Sequence, residues 1–200
     1  MSIVRLNNRG VRSATAFGSI TGLGSMVFLS KQTASSSSTI SFTSGIDSTY
    51  KVYLFTFNNM HPASASTLSF NGSIDTGSNY NVAKTSSSFY GLHKEDDSST
   101  ALSYNVYQDL AQGTGAQGLI GTLATDNDSG GSGELYIFNP SSTTFVKHYI
   151  ANANGSNAQS VNSYTAGYFN TTSAIDAIQF SMSTGNIDSG TIKLYGISDS

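Results

Sequence analysis

Short runs of apolar and β-branched residues alternate with turns rich in glycine, serine and asparagine along most of the chain. Many runs recur at spacings near the roughly 8 to 12 residues that are typical of β-sandwiches and β-barrels. No long segment shows the apolar period of a helix, and the best helical patch, around Tyr107–Ala111, covers only about one turn. The pattern predicts strands at Thr39–Phe42, Tyr50–Phe57, Ser66–Asn71, Ser88–Leu92, Ala101–Tyr107, Gly118–Leu123, Glu134–Phe138, Thr144–Ile150, Ser163–Phe169, Ala177–Met182 and Thr191–Ile197.

Four of these runs carry more specific predictions. Tyr50–Phe57 is apolar at both alternating sets of positions, which predicts a central strand covered on both faces, whereas Thr144–Ile150 alternates only in part and is predicted to be half exposed. Ala177–Met182 and Thr191–Ile197 are separated by residues that favour tight turns, which predicts a closing hairpin. Together the runs predict an all-β fold, a jelly roll or a related antiparallel β-sandwich.

The chain is predicted to divide near the serine run Ser35–Ser38, which has the composition of a short linker. Residues 1–34 form a predicted extended N-terminal arm, with several glycines and only scattered apolar residues. Residues 35–200 form the predicted β-sandwich domain.

Charge separates these two parts as well. Arg5, Arg9 and Arg12 are the only arginines, and no acidic residue precedes Asp47. A cationic extended segment can become ordered against an acidic neighbour, and arginine can bind carboxylates through two parallel hydrogen bonds. The three arginines are therefore the predicted assembly contacts. The alternative is that Ile3, Val4 and Leu6 add an edge strand to the domain and leave the arginines in solvent.

The composition limits which partners suit the chain. Charged residues are 10 % of the sequence, against roughly 25 % in ordinary soluble domains. The formal net charge is −3, so binding to nucleic acid through a basic face is not expected. The chain has no cysteine, which excludes disulfides and cysteine-ligated metals, and no apolar run reaches the roughly 18 residues needed to span a bilayer. A neutral polar surface of this kind suits a protein packed into an assembly, or one that faces carbohydrate.

One acidic loop resembles the start of a calcium-binding loop. Asp126 and Asp128 occupy its first and third positions, a glycine its sixth, and Glu134 its ninth. The twelfth position, which requires a bidentate glutamate, holds Ile137 instead. A solvated turn is the preferred interpretation, and a partly hydrated calcium site is the alternative.

Two other motifs do not indicate a ligand or a catalytic role. Gly113–Gly118 matches the dinucleotide pattern G-x-G-x-x-G, but no predicted helix follows it, so a loop is preferred. His93–Asp97 is the densest charged cluster and is interpreted as a solvated loop. No catalytic residues are assigned and no cofactor is expected.

Four tyrosines lie in surroundings rich in serine, asparagine and glycine. Tyr80, Tyr90, Tyr164 and Tyr168 are either core residues or exposed rings that stack on sugars or on a neighbouring subunit. The core interpretation is preferred.

The C-terminal phrase Thr184–Ile197 resembles the ending of structural proteins from tailed bacteriophages, particularly marine and cyanobacterial ones. Three further stretches resemble the same group: Arg9–Gly18, Gln32–Tyr50 and Gly133–His148. The resemblance implies a virion structural protein, and it brings no catalytic residue with it.

The resulting functional prediction is a non-enzymatic virion component, either a capsid decoration protein or a tail- or fibre-associated subunit anchored through its arm. Its expected partners are other virion proteins and further copies of itself, as a homotrimer or as repeated copies on the particle, and its expected location is the virion, assembled in the host cytoplasm and released by lysis. The alternative is a receptor- or carbohydrate-binding module of the phage tail that contacts a host surface glycan. An enzyme such as a polysaccharide depolymerase ranks third.

Overall fold

The computed structural model describes residues 26–198, and this part of the chain is an all-β sandwich of two antiparallel sheets. Its twelve strands are β1 (Met26–Ser37), β2 (Ile40–Phe42), β3 (Val52–Pro62), β4 (Ser66–Ser73), β5 (Lys84–Lys94), β6 (Thr100–Tyr104), β7 (Gln117–Leu123), β8 (Gly130–Phe138), β9 (Lys147–Ser156), β10 (Gln159–Phe169), β11 (Ala177–Met182) and β12 (Ile187–Ile197). No helix in the described part of the chain is long and apolar enough to cross a membrane.

The two sheets differ in size. The larger has eight strands in the order β1-β12-β3-β8-β9-β10-β5-β6, and the smaller has four in the order β2-β11-β4-β7. Eight strands alternate between the sheets in nested pairs, so that β1 pairs with β12, β2 with β11, β3 with β8 and β4 with β7. This nested pairing is the connectivity expected of the predicted jelly roll, and the jelly roll itself stays a prediction.

Two insertions enlarge one sheet. β5 and β6 lie between β4 and β7 in sequence, and β9 and β10 lie between β8 and β11. All four extend the larger sheet beyond β8, while the smaller sheet ends at β7. Part of the inner face of the larger sheet therefore extends past the smaller sheet, and this difference in width creates the candidate site described below.

The core is built from aromatic rings that join the two sheets. Phe180 on β11 contacts Phe55 on β3 with ring centroids 5.4 Å apart, and Phe70 on β4 contacts Tyr149 on β9 at 5.1 Å. These residues point inward because strand side chains alternate between faces, and all four are fully buried. Edge-to-face ring pairs of this kind add to the free energy gained from burial alone.

All eleven predicted strands overlap observed strands, and the all-β fold is confirmed. β9 alternates buried and exposed positions along Lys147–Gly155, so its predicted half exposure is confirmed. β3 is central in the larger sheet, as predicted, but only its inner face is covered by the smaller sheet. Tyr53, Leu54 and Phe55 are buried, whereas Thr56 and Asn58 on the other face are not, so the predicted cover on both faces is wrong.

The predicted arm boundary differs from the structure. Residues 26–34, which the sequence assigned to the arm, belong to β1, and the serine run predicted as a linker is largely the end of the same strand. β1 pairs with β12 along nearly its whole length, from Met26 opposite Ile197 to Ser37 opposite Ile187. An edge strand can be held by backbone hydrogen bonds alone, whatever its side chains are. Because the end of β1 is rich in serine, its sequence lacks the apolar pattern that predicts a strand.

The predicted C-terminal hairpin is wrong. β11 lies in the smaller sheet and β12 in the larger, so the turn between them crosses from one sheet to the other. The Asp188–Gly190 segment, predicted as part of the turn, lies within β12, where two register shifts interrupt its pairing with β3. Gly190 has a φ of +130°, which explains the glycine at this bulge. The patch around Tyr107–Ala111 is a turn and loop, not helical.

Candidate functional site

A groove of about 510 Å³ opens where the larger sheet extends past β7. The inner face of β5 and β10 forms its floor, through Tyr90, Val161 and Ser163. β7 forms one wall, and the connection between β6 and β7, residues 105–116, forms another. The volume lies within the range of small-molecule sites.

The 105–116 connection is fixed to the edge of β5 by backbone hydrogen bonds. Asn105 N donates to Ser88 O at 2.8 Å, and Ser86 N donates to Leu110 O at 2.9 Å. Further along, Lys84 and Gly113 exchange both of their backbone bonds, at 2.8 and 3.0 Å. The wall of the groove is therefore held in place like an additional strand.

Tyr107 lies at the tip of a tight turn in this wall. Gln108 N donates to Asn105 O at 3.2 Å, and Asn105 Oδ1 accepts from Tyr107 N at 3.2 Å, which is the Asx turn that asparagine favours. The turn holds the Tyr107 side chain in solvent at the groove, 94 % exposed. Tyr107 is the most exposed large hydrophobic residue in the described part of the chain.

Gln108 is held against β7 below this ring. Gln117 Nε2 donates to Gln108 O, and Gln117 Oε1 accepts from Tyr149 OH at 2.9 Å. Burial raises the pKa of Tyr149, so this hydroxyl keeps its proton and remains a donor. The Gln108 side chain packs on Gly118, where an added Cβ would lie 2.8 Å from Gln108 Cγ.

Two buried polar atoms at this groove have no hydrogen-bond partner. They are Gln108 Oε1 and Ser163 Oγ, and both residues are more than nine-tenths buried. An unpaired buried polar atom costs about 1 to 3 kcal/mol. Such atoms beside an open groove mark a place where a bound hydroxyl could restore the missing bonds.

The groove carries no formal charge in its lining. Its side chains are amides, hydroxyls, tyrosines and small apolar residues, and no Asp, Glu, Lys, Arg or His is among them. A neutral ligand with many hydroxyl groups suits this chemistry better than an ion does.

A second hollow of about 500 Å³ lies at the β3–β12 bulge and contains a His–Asp pair. His61 Nδ1 is 3.4 Å from Asp188 Oδ2, and His61 Nε2 is 3.2 Å from Asp126 O. Both partners are acceptors, so neither ring nitrogen contacts a hydroxyl that it could activate. His61, on β3, therefore contacts both β12 and the 124–129 loop.

The structure does not bring the calcium candidates together. Asp126 and Asp128 line one small hollow beside Glu95, while Glu134 lies on β8 in a different, shallow hollow with Asn152. Among residues 26–198, no group of three or more His, Asp or Glu side chains is placed to hold a metal ion. Arg5, Arg9 and Arg12 lie outside the described residues.

The remaining motifs lie in loops and strand ends. Gly113 bridges to β5, and Gln117 and Gly118 begin β7, so the G-x-G-x-x-G segment is the far end of the groove wall. His93 Nε2 contacts Asp97 Oδ1 at 2.9 Å across an exposed turn.

The four tyrosines noted in the sequence separate into different environments. Tyr90 lines the groove, whereas Tyr164 stands on the opposite face of the same sheet, stacked on Phe89 with centroids 4.9 Å apart. Tyr168 contacts His148, and Tyr80 is half-buried with an unpartnered hydroxyl.

The sequence analysis missed Tyr107 and Gln108 as site residues, although the Asn-x-Tyr sequence at Asn105 indicates a turn.

The face of the larger sheet that points away from the smaller sheet is apolar over much of its width. We call it the outer face. Register places one row of its side chains across six neighbouring strands: Phe28, Tyr195, Leu54, Tyr136, Ile150 and Ala166. Phe28 and Ile150 are more than half exposed.

A second and a third row widen this apolar surface. Met26, Ile197, Val52 and Phe138 form the second row, and Tyr164, Phe89 and Tyr104 form the apolar part of the third. The rest of the third row is polar, through Asn152, Glu134, Thr56 and Lys193. Contiguous exposed apolar surface of this kind marks an interaction site.

The groove and the outer face are thus the two surfaces with binding chemistry in the described part of the chain, and they lie on opposite faces of one sheet. The groove is polar and neutral, and the outer face is apolar. Comparison of the chain with known proteins finds no matching family model, no matching curated protein and no matching solved structure.

Proposed function

We propose that this chain is a non-enzymatic structural subunit of a tailed-phage virion, a capsid decoration or tail-associated protein that packs against further copies of itself through its outer face. The observation that carries the proposal is the exposed apolar surface of the larger sheet, with its rows of Phe, Tyr, Ile and Met side chains. The sequence resemblance and the low content of charged residues support the virion assignment.

The chemistry of the outer face favours a second copy of the same chain. Interface centres are rich in Tyr, Phe and Met and poor in charge, as this face is. The few charges on it have both signs: Lys31 is paired in register with Lys193, and Glu134 lies two strands from Lys193, with Thr56 between them. Glu134 of one copy can therefore pair with a lysine of the next, which fixes the register of the contact.

We expect the purified protein to sediment as an oligomer, with a homotrimer as the predicted number of copies. Replacing Phe28 and Ile150 together by glutamate should shift it to a monomer, because two charges would be buried in the apolar contact. Analytical ultracentrifugation measures the change, and circular dichroism checks that the fold remains.

The control is Phe145→Glu, which places one such charge on an exposed phenylalanine in the loop between β8 and β9. This variant should sediment like the wild type. A wild-type protein that remains monomeric at its highest soluble concentration would contradict the use of the outer face for self-association.

The N-terminal segment is proposed to anchor the protein to its neighbours. Because β1 begins at Met26, a truncation that tests this should remove residues 1–25 and leave the strand intact. A charge-assisted hydrogen bond contributes about 1.5 to 3 kcal/mol, so three arginine contacts account for a large part of the binding free energy.

We expect the triple variant Arg5→Ala, Arg9→Ala, Arg12→Ala to fold normally and fail to join particles of the phage that encodes it. Particle incorporation, measured by mass spectrometry of purified virions, should also fall for the wild type as salt is raised during assembly. Lys51→Ala with Lys94→Ala, two exposed positions of the domain, is the control for reduced positive charge. Normal incorporation of the arginine variant would mean that the arginines do not hold the subunit in place.

A specific observation also favours the alternative of a carbohydrate-binding module. The neutral groove with Tyr107 at its rim provides the required chemistry without using the outer face. The same subunit can therefore be structural and carry a binding site.

A further inference from the structure

We propose that the groove between β7 and the β5–β10 floor binds a neutral saccharide, whose ring stacks on Tyr107 and whose hydroxyl groups bond to Gln108 and Ser163. This inference stands independently of the proposed assembly role, because it uses the opposite face of the larger sheet.

Tyr107 provides the stacking surface. A pyranose ring has one apolar face of C–H groups and a rim of hydroxyls, so an aromatic ring can cover the apolar face while polar groups meet the rim. Tyr107 is almost fully exposed, and the Asx turn at Asn105 fixes its backbone position. Fixing the turn in advance lowers the entropy lost on binding.

The floor and the wall of the groove offer hydrogen-bond partners for the hydroxyl groups at the rim of the sugar. Gln108 Oε1 is an acceptor without a donor, and Ser163 Oγ has no partner of either kind. Both atoms are closed from solvent in the free protein, so binding requires the Gln108 side chain to turn towards the groove. A sugar hydroxyl donates and accepts at the same atom, and it can satisfy both groups.

The neutral lining selects against charged ligands. A carboxylate or phosphate would lose its hydration in the groove without meeting a cation, since none of the lining residues is basic. Neutral hexoses and N-acetylhexosamines face no such cost.

An extended peptide fits this groove less well. A peptide that adds a strand must pair with free backbone groups on the edge of β7. Side chains already occupy two of the carbonyls there, because Asn157 Nδ2 donates to Thr122 O at 3.3 Å and Gln117 Nε2 donates to Gly118 O at 3.2 Å.

The test is a panel of glucose, galactose, mannose, N-acetylglucosamine and their disaccharides, screened against the full chain by saturation-transfer NMR and followed by titration calorimetry. One stacked ring with a few hydrogen bonds corresponds to a Kd of about 1 mM, so the panel is screened to about 10 mM. At least one neutral member should bind, and glucuronate should bind more weakly than glucose does.

Two variants locate the site. Tyr107→Ala should weaken binding at least about fivefold while leaving the melting temperature unchanged, because the ring is in solvent. Its control is Phe145→Ala, which removes another exposed aromatic ring in a loop that does not line the groove. Gly118→Ala should change the affinity, because the added Cβ lies within 3 Å of the Gln108 side chain and must move it, whereas Gly115→Ala adds a Cβ in open space and should leave the affinity unchanged.

Three outcomes overturn the proposal. The first is that no saccharide of the panel binds. The second is binding that Tyr107→Ala and Gly118→Ala leave unchanged, which would place the sugar elsewhere. The third is that a hexapeptide of serine and asparagine binds while every saccharide fails, which would assign the groove to a peptide.

Discussion

Replacing Phe180 by alanine should lower the free energy of unfolding by about 3 to 5 kcal/mol, the largest effect that we expect from a single side chain. Phe180 is fully buried, and its ring lies 5.4 Å from Phe55 and 6.2 Å from Phe42. It also contacts Phe57 and Phe70 at 6.4 and 6.5 Å. Because these rings come from both sheets, the cavity would open at the centre of the sandwich, where no single element can move to fill it.

Urea unfolding followed by circular dichroism measures this change. The matched control is Phe145→Ala, since Phe145 is 70 % exposed in a loop and its removal should change stability by no more than about 0.5 kcal/mol. A loss below about 1.5 kcal/mol for Phe180→Ala would mean that the two sheets are not held together by this aromatic cluster.

The strands could be predicted because their signal is local. Tyr53, Phe55 and Phe57 alternate along β3, and all three are fully buried. Alternation of this kind depends only on the chain itself and on having an interior to face. The fold class follows from many such runs separated by turns.

The partner of each strand could not be predicted in the same way. β11 and β12 have the apolar content and the intervening turn of a hairpin, yet Phe180 pairs with Phe70 in one sheet and Leu194 pairs with Phe55 in the other. Turn residues show where the chain bends, and they do not show which sheet it enters next. β1 was missed because Lys31–Ser37 is polar and contributes mainly backbone bonds to β12.

The groove could not be predicted from the sequence, for a related reason. It exists because β10 and β5 continue the larger sheet past β7, and this follows from the order of strands, not from any local pattern. Its residues are spread over the chain, from Tyr90 to Ser163, and each reads alone as an ordinary strand or turn position. The outer face was missed likewise, since residues such as Phe28 and Ile150 look like core candidates until the register is known.

Lys84 is a buried amine that should make stability depend on pH. It is fully buried, and Lys84 Nζ donates to Asn71 Oδ1 and, at 2.9 Å, to Val82 O, both neutral acceptors. Nζ also lies 5.9 Å from the centroid of the Phe169 ring, which offers a modest attraction to the charge. Burial away from water nevertheless lowers the pKa of Lys84 to about 8 from 10.5.

We expect the free energy of unfolding to rise by about 2 kcal/mol from about pH 7.5 to about pH 9.5. The unfolded chain holds the Lys84 proton up to its ordinary pKa near 10.5, whereas the folded protein loses it near pH 8. Between these values the unfolded state binds more protons, so raising the pH favours the folded state. The range stops below pH 10 because burial raises the pKa of Tyr53 and Tyr149, and their ionisation in the unfolded chain acts in the opposite direction.

Urea unfolding at a series of pH values measures the slope, and two variants assign it. Lys84→Met removes the titrating amine and should flatten most of the rise, whatever it does to stability at one pH. Part of a rise should remain, because burial also lowers the pKa of Lys147, another amine closed from solvent. Lys51→Met replaces an exposed lysine and should keep the full slope. A wild-type stability that is flat over this range, or equal slopes for all three proteins, would mean that Lys84 keeps its charge in the folded state without cost.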